Sequence, residues 1–407
     1  MARILMITYN TWVSDARSKR HAEALAQQGH SVDVICVATK VRGQRNGINV
    51  IWLPMPKYHG ASRVGYLFSY LRFFALASVT AARLSLRQKY DLVIVCTMPD
   101  AAVLSALIPK LLGSKILLDI RDTMPELYRD KFDGRLGAAG ARLLMLEERA
   151  SAWLADRILA VHEPHAQRLV QSGIPREKID VVLNSPNPEI FKPIGDLYGS
   201  PPKDDHFTLV FHGTVSRRLG IDTALYAIHE LRDRIPQLRL RLLGTGDFWE
   251  AAQALCARLK LDDRVRFERQ VPLEQLPAAL STVSAGLVPN PPSSATHLML
   301  PVKLLEYAAL GIPVITARLR TIEHFFPEDA VRYFEPGNVA SLAAAIAELH
   351  DHPEYRARIV QRAGSIMTGL GWNAQRENLC DAVAALIKDA PIGDLPQPHT
   401  APERPAR

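Results

Sequence analysis

A lysine and a glutamate lie three residues apart in the segment LPVKLLEYAALGIPVI, which runs from residue 300 to 315. Pro301 and Gly311 predict a short helix between them, because proline is tolerated at the first helical position and glycine favours the position after the last. Lys303 and Glu306 would then share one face of that helix. An ammonium group at a helix amino end suits a phosphate, and a carboxylate can accept hydrogen bonds from ribose hydroxyls. An anion site next to an acceptor for a diol matches a sugar nucleotide, although the spacing alone equally fits a surface helix whose two charges are solvated.

A glycine and two arginines follow the first strand predicted in the second half of the chain. Gly213 permits close approach of a backbone, and Arg217 and Arg218 supply fork-shaped donors for a diphosphate. We expect Arg218 to contact the diphosphate, with Arg217 as its substitute. The alternative is an arginine pair at the start of a helix that faces solvent.

Short β-rich runs alternate with helical patterns along the chain, which is typical of parallel α/β architecture. The strands predicted in the first half are Arg3–Thr8, Val32–Val37, Asn49–Leu53, Asp91–Cys96, Lys115–Asp119, Arg157–Val161 and Ile179–Leu183. Those predicted in the second half are Thr208–Phe211, Arg239–Leu243, Val265–Phe267, Ala285–Val288, Pro313–Thr316 and Val331–Phe334. Ligands of open α/β sheets bind outside the carboxyl ends of the strands, so we expect the chemistry there.

The length of 407 residues predicts two domains. We place a Rossmann-like acceptor-side domain at 1–191 and a Rossmann-like nucleotide-sugar-binding domain at 206–371. The turn-rich stretch between them is predicted to be a linker. The helix at 372–390 is predicted to pack back on the first domain, and the Pro-rich tail at 391–407 to be disordered.

The composition, with 48% hydrophobic and 22% charged residues, is that of a soluble globular protein. Its four cysteines lie far apart, which argues against a disulfide framework and suits a reducing cytosol. The apolar run from Phe73 to Ala82 is too short to span a bilayer and has an arginine at each end. Neither His297 nor His324 has a partner at ligand spacing, so no metal is expected.

The segment from residue 300 to 315 resembles the donor-site motif of retaining glycosyltransferases of family 4, in the branch with a Pro-x-Lys-x-x-Glu-Tyr form. The resemblance covers nearly the whole chain and implies an α/β fold of the GT-B type, with two Rossmann-like parallel domains facing an interdomain cleft. Glu306 matches the second of two family glutamates, which contacts the donor ribose, and Leu298 stands at the position of the first. The implied reaction moves a hexose from a UDP- or GDP-linked donor to a glycan or lipid-linked acceptor, with retention and without a metal or another cofactor.

The resemblance implies further ligand contacts. On the donor side these involve Gly244, Gly246, Gln270, Met299 and Leu300, in addition to Gly213, Arg217, Arg218, Lys303 and Glu306. Asp122 lies in a segment similar to one that carries a His or Asp near the reacting sugar, so it is predicted to be catalytic together with Arg218, Lys303 and Glu306. Asn10, Arg17 and Arg121 are predicted on the acceptor side with Asp122, and Arg17 is expected to meet an acceptor phosphate. The alternative for Arg121 and Asp122 is a structural pair.

Two other functions fit these features. A non-hydrolysing sugar-nucleotide epimerase shares the architecture, and a non-catalytic sugar-nucleotide-binding protein is compatible with Leu298 in place of a glutamate. The expected location is the cytoplasm, in cell-surface or exopolysaccharide biosynthesis. An apolar helix beginning near Tyr66 is expected to be a buried core helix, and with the net charge of +7 it is also compatible with peripheral contact with an anionic membrane. Nucleic acid is not an expected partner.

Overall fold

The computed structural model describes residues 1–38, 47–58, 63–132, 134–193 and 206–388. The chain divides into two compact units. The first comprises Met1–Asn184 and the residues from Asn373 onward, and the second comprises Ser185–Trp372. Most of the predicted linker, the end of the predicted last helix and the whole predicted tail at 391–407 lie outside the described residues.

The first unit is built around a parallel sheet. Its strands are β1 (Arg3–Thr11), β2 (Ser31–Val37), β3 (Ile48–Leu53), β4 (Leu92–Cys96), β5 (Lys115–Ile120), β6 (Arg157–Ala160) and β7 (Ile179–Val181). Its helices are α1 (Ala16–Gln27), α2 (Arg63–Arg87), α3 (Leu107–Leu111), α4 (Met124–Lys131), α5 (Gly134–Leu154) and α6 (Glu163–Gln171). The strand order is β3-β2-β1-β4-β5-β6-β7. The strands are buried runs because helices cover the sheet, as parallel sheets require.

The second unit repeats this plan. Its strands are β8 (Phe207–Thr214), β9 (Leu238–Thr245), β10 (Val265–Glu268), β11 (Ala285–Val288), β12 (Val314–Ala317) and β13 (Arg332–Phe334). Its helices are α7 (Ile221–Glu230), α8 (Trp249–Arg258), α9 (Leu276–Leu280), α10 (Val302–Leu310), α11 (Arg320–Phe325), α12 (Val339–Asp351) and α13 (Pro353–Leu370). The strand order is β10-β9-β8-β11-β12-β13, again with parallel pairing. The predicted fold class, two parallel Rossmann-like domains, is confirmed.

The last described helix, α14 (Trp372–Lys388), contributes its residues from Asn373 onward to the first unit. Gln375 is buried, and its Oε1 accepts a hydrogen bond of 2.8 Å from the backbone N–H of Leu183. This contact satisfies a backbone donor just beyond β7. The first unit is therefore formed by two separate stretches of the sequence.

Each sheet has one place where the direction of strand addition reverses, between β1 and β4 in the first unit and between β8 and β11 in the second. In open α/β sheets, the loops that leave the two strands at such a point diverge and leave a crevice for a ligand. Gly213 lies at the end of β8, and Arg218 and Lys303 lie in the segments that follow β8 and β11. The topology of the second unit thus brings together residues about ninety positions apart in sequence.

Candidate functional site

The segments that follow β8 and β11 touch each other at Gly220. This glycine precedes α7 and has a φ of +78°. A methyl group added to it would lie 1.8 Å from the carbonyl oxygen of Pro289, just beyond β11. Gly220 therefore allows the two segments to approach more closely than any side chain would permit.

Replacing Gly220 with alanine is expected to destabilise the second unit and to weaken nucleotide binding. Gly311 provides a matched control, because its φ is +77° but a methyl group there would lie 3.8 Å from its nearest neighbour, Val360 Cγ1. Both substitutions cost roughly 1–2 kcal/mol of backbone strain. Only Gly220→Ala adds the clash with Pro289, so its unfolding free energy in urea should fall further. Equal losses in the two variants would contradict the close approach of the two segments.

The polar loop after β11 is held in a fixed shape by its own side chains. The Thr296 hydroxyl donates to the carbonyl of Pro291 at 2.7 Å and accepts from the backbone N–H of Ser293 at 2.8 Å. Helix α10 then begins after Pro301, which makes no side-chain cap, and ends before Gly311, as predicted. The first N–H groups of the helix have no partner inside it, so its amino end is suited to an anion.

Lys303 lies in the first turn of α10 with its ammonium group buried. The Nζ atom lies 3.4 Å from the ring centroid of Phe211, on β8, and it has no hydrogen-bond partner among the described residues. Burial lowers the pKa of Lys303 to about 7, although the Glu306 carboxylate raises it and Arg218 lowers it further. The ring stabilises the ammonium electrostatically but accepts no conventional hydrogen bond. A buried, unpaired donor of this kind is costly unless a ligand satisfies it.

Glu306 lies one turn further along α10 and is held by the end of β8. Its Oε2 lies 2.7 Å from Nε2 of His212. The other ring nitrogen of His212 lies 2.9 Å from the hydroxyl of Tyr307, which also accepts from the His212 backbone N–H at 3.2 Å. These contacts fix the Glu306 carboxylate and leave its second oxygen without an assigned bond in the described structure. The arrangement presents a carboxylate acceptor beside an ammonium donor.

The two predicted arginines differ in their contacts. Arg217 is 77% exposed and is paired with Asp222 at 3.1 Å. Arg218 is also exposed, forms no ion pair with any described residue, and contributes to the electrostatic field at Lys303. No ion pair with a described residue competes for the Arg218 guanidinium, and its predicted diphosphate contact stays a prediction.

The predicted donor-side glycines serve the packing of two strand ends. A methyl group on Gly244 would lie 1.8 Å from the carbonyl oxygen of Gly213, and one on Gly246 would lie 2.0 Å from that of Val215. Because these two glycines lack side chains, β8 and β9 can remain paired through Gly213↔Gly244 to Thr214↔Thr245. Gly213 itself faces the Lys303 ammonium, which would lie 3.8 Å from an added methyl group.

The remaining donor-side predictions lie in loops. The Met299 N–H donates to the carbonyl of Thr296 at 3.2 Å, and the predicted contact of Met299 with the donor stays a prediction. Leu300 is nearly buried immediately before α10. Gln270 is exposed after β10, the edge strand of the sheet. The amides at the start of α10 are therefore better placed for an anion than that of Met299.

In the first unit, two predicted acceptor-side arginines form a buried ion network at the carboxyl ends of the strands. Arg17 pairs with Asp119 at 2.9 Å, and Arg121 pairs with Asp119 at 2.9 Å and Asp15 at 2.8 Å. Burial raises the pKa of Asp15, but Arg121 and hydrogen bonds from Ser18 and Thr8 bring it down to about 2. The expectation that Arg17 meets an acceptor phosphate is corrected, because its side chain is 4% exposed and already paired.

The two other acceptor-side residues lie beside this network. Asn10 accepts a hydrogen bond from Lys57 and donates to Asp15 at 3.4 Å. Asp122 is half-buried between β5 and α4. Burial raises the pKa of Asp100, and the charges of Glu148, Glu147 and Asp122 raise it further. Asp122 is therefore accessible enough to meet a ligand, and its predicted contact with a sugar stays a prediction. Among the described residues, no group of three or more His, Cys, Asp or Glu side chains is arranged to hold a metal ion.

The sequence analysis missed several residues that shape the site. His212 and Tyr307 orient Glu306, and Phe211 carries the Lys303 ammonium. Asn290, in the loop after β11, is buried with its Oδ1 lacking a partner in the described part of the chain. The sequence shows that His212 precedes Gly213 and that Tyr307 follows Glu306. Neither residue type identifies its partner, because the contact depends on the order of the strands in the sheet.

Comparisons with known proteins identify the family of each half of the chain. Residues 15–185 match the family described as "Glycosyl transferase 4-like domain", and residues 206–352 match "Glycosyl transferases group 1". The putative colanic acid biosynthesis glycosyltransferase WcaL of Escherichia coli is 26% identical over 213 residues, which is 51% of each chain. The GDP-mannose-dependent alpha-(1-6)-phosphatidylinositol monomannoside mannosyltransferase of Mycolicibacterium smegmatis is 29% identical over 142 residues, 34% of this chain and 36% of that protein. These matches span about half or less of the relatives' length.

Solved structures share the fold. Sucrose-phosphate synthase from Thermosynechococcus elongatus superposes with a TM-score of 0.76 at 18% identity, covering 96% of this chain and 100% of that one. Anabaena Alr3699/HepE in complex with UDP and glucose gives a TM-score of 0.69 at 16% identity, covering 95% and 100%. The two family matches together cover most of the chain and place it among the family 4-like glycosyltransferases, and the solved structures show that its fold is of the GT-B type.

Proposed function

We propose that the chain transfers a hexose from a UDP- or GDP-linked donor, bound by the second unit, to a glycan or lipid-linked acceptor bound by the first. The observation that carries this proposal is the buried Lys303 ammonium, which has no hydrogen-bond partner among the described residues and lies in the first turn of α10. Glu306, one turn later, supplies the acceptor that a ribose diol requires. A diphosphate next to a pentose satisfies both groups at once.

In the proposed reaction, the bond between the sugar C1 and the diphosphate oxygen breaks as the acceptor oxygen bonds to C1. The acceptor proton passes to the departing diphosphate, and attack from the side of the leaving group retains the configuration. Lys303, Arg218 and the first amides of α10 stabilise the charge that develops on the diphosphate. These groups are protein cations and dipoles, which supports a metal-independent reaction. Leu298 at the position of the first family glutamate leaves the sugar to other contacts, among which we propose Asp122.

We further propose that the protein acts in cell-surface or exopolysaccharide biosynthesis and lies in the cytoplasm, in peripheral contact with the inner face of the cell membrane. WcaL, named for colanic acid biosynthesis, supports the first part of this proposal. The exposed apolar side of helix α2, with its arginines, supports the second part. We also propose that the chain belongs to the Pro-x-Lys-x-x-Glu-Tyr branch of the family, which the combination of Lys303, Glu306 and Tyr307 in one helix supports.

A comparison of two neighbouring arginines tests the proposed activity. A panel of UDP- and GDP-sugars is first screened by thermal shift, because a ligand that binds the folded state raises Tm. With the donor identified, Arg218→Ala is expected to slow acceptor-dependent nucleotide release on the order of 10²–10³-fold. Arg217→Ala is the matched control and should change it less than about threefold, because exposed pairs such as Arg217–Asp222 contribute little.

Each alternative function gives a different result in this assay. Nucleotide release with an altered free sugar and no need for an acceptor would indicate an epimerase. Donor binding without turnover under any acceptor would indicate a binding protein. Equal activity of the Arg218 and Arg217 variants would remove Arg218 from the proposed site.

A further inference from the structure

Helix α2 has an apolar surface on both sides. It is 25 residues long, and over Val64–Arg87 it is long and apolar enough by composition to cross a membrane. Its inner side, which includes Phe73, packs in the core of the first unit, so the helix lies on that unit and does not leave it. Only 22% of its most apolar window is buried. The helix therefore belongs to the core on its inner side, as the core interpretation predicts, and is exposed on its outer side.

The outward side of α2 forms a continuous apolar ridge. Phe68, Val79 and Leu86 are exposed and repeat at intervals of 11 and 7 residues, which are whole numbers of helical turns. Phe68 is 68% exposed, a high value for a phenylalanine. Helix α3 packs beside α2 and adds Leu107 and Leu111, the latter 81% exposed. We call these side chains together with Leu71 the α2–α3 face.

The α2–α3 face carries positive charge and no negative charge. Helices α2 and α3 contain five lysines and arginines and no aspartate or glutamate. Arg72 and Arg83 stand 11 residues apart, so they share one flank of the ridge, and Arg87 lies one turn beyond Arg83. Arg83 and Arg87 are exposed and form no ion pair within the described residues. A flank of this composition is complementary to an anionic surface.

We propose that the α2–α3 face docks in the plane of a lipid bilayer that contains anionic headgroups. The apolar ridge would enter the boundary between headgroups and acyl chains, while the arginine stems extend along it and keep their guanidinium groups at the phosphates. A second copy of the chain fits less well, because a symmetric contact through this face would oppose like charges. The inference gives the proposed membrane location a specific contact, and it does not depend on the transfer chemistry.

Vesicle flotation tests this proposal without using enzyme activity. The full chain is mixed with phosphatidylcholine vesicles that contain or lack phosphatidylglycerol. We expect binding to the anionic vesicles, weakening as salt is added, and little binding to the neutral ones. The double variants Phe68→Ser/Leu71→Ser and Arg83→Gln/Arg87→Gln should each lower the partition coefficient by about tenfold or more. Melting curves confirm that each variant folds.

Controls come from exposed residues elsewhere. Val170→Ser replaces an exposed apolar residue of α6, and Arg266→Gln replaces a cation that is 79% exposed in the second unit. Both should bind vesicles like the unchanged chain. The proposal is overturned if the unchanged chain ignores anionic vesicles, or if the controls lose as much binding as the α2–α3 variants. It is also overturned if sedimentation shows a dimer that Phe68→Ser/Leu71→Ser dissociates, since the face would then bind a second copy.

Discussion

Lys303→Met is expected to slow sugar transfer on the order of 10²–10³-fold, because the side chain would no longer meet the charge that develops on the leaving diphosphate. The same substitution is expected to stabilise the free protein. Methionine has a similar length and packs well against an aromatic ring such as Phe211. It also removes the cost of burying an ammonium group that has no hydrogen-bond partner among the described residues. Loss of function and gain of stability together would mark a site built for its ligand.

The gain in stability has a defined pH dependence. The pKa of Lys303 is about 7 in the folded chain, whereas the ordinary pKa of an exposed lysine is 10.5. Between these values the unfolded chain holds a proton that the folded chain does not, so the stability of the unchanged protein rises with pH across this window. The advantage of Lys303→Met should therefore be largest below about pH 7, on the order of a few kcal/mol, and should vanish above about pH 10.5.

Urea unfolding at several pH values, with transfer assays at each, measures both effects of Lys303→Met. Lys260→Met removes an exposed lysine from the same unit and serves as the control. It should leave transfer and the pH dependence of stability unchanged. Near-normal transfer by Lys303→Met, or a stability difference that is flat with pH, would contradict the buried and functional ammonium.

The position of helix α10 could be predicted because the residues that start and end it act only on the adjoining backbone. Pro301 and Gly311 define its ends through backbone chemistry that does not depend on the rest of the fold. The strands could be predicted equally well, because buried parallel strands form short β-rich runs such as Leu92–Cys96. The small differences lie at the ends, where β1 continues to Thr11 because it pairs with β2 beyond its apolar run.

The contacts of the site could not be predicted in the same way. Phe211 and His212 precede Lys303 and Glu306 by some ninety residues, and they meet only because β11 lies next to β8 in the sheet. Periodicity reports which side chains are buried but not the order of the strands. Arg17 shows the same limitation, because a cation after a strand has the same sequence pattern whether it meets a ligand or a buried carboxylate such as Asp119.

Glu306→Gln is expected to weaken nucleotide binding by roughly 10–100-fold, because a hydrogen bond to a charged acceptor is worth about 1.5–3 kcal/mol. The effect has a second component. The Glu306 carboxylate raises the pKa of Lys303, so its removal lowers that pKa below about 7. Lys303 must be protonated to hold a diphosphate, and affinity should therefore begin to fall at a lower pH in this variant. Calorimetry across pH in two buffers, which counts the protons taken up, measures this shift.

A His212 variant separates the effect of orienting the Glu306 carboxylate from the effect of its charge. His212→Phe keeps an aromatic ring but removes the 2.7 Å contact to Oε2 of Glu306, so affinity should fall about tenfold while the pH dependence stays close to that of the unchanged chain. Tyr307→Phe is the control, because the lost hydroxyl contacts His212 and not Glu306. It should reduce stability by about 1 kcal/mol and lower affinity less than His212→Phe does, because Tyr307 orients Glu306 only through His212. If His212→Phe binds nucleotide normally, Glu306 does not need its histidine; if Glu306→Gln binds normally, this carboxylate does not grip the ribose.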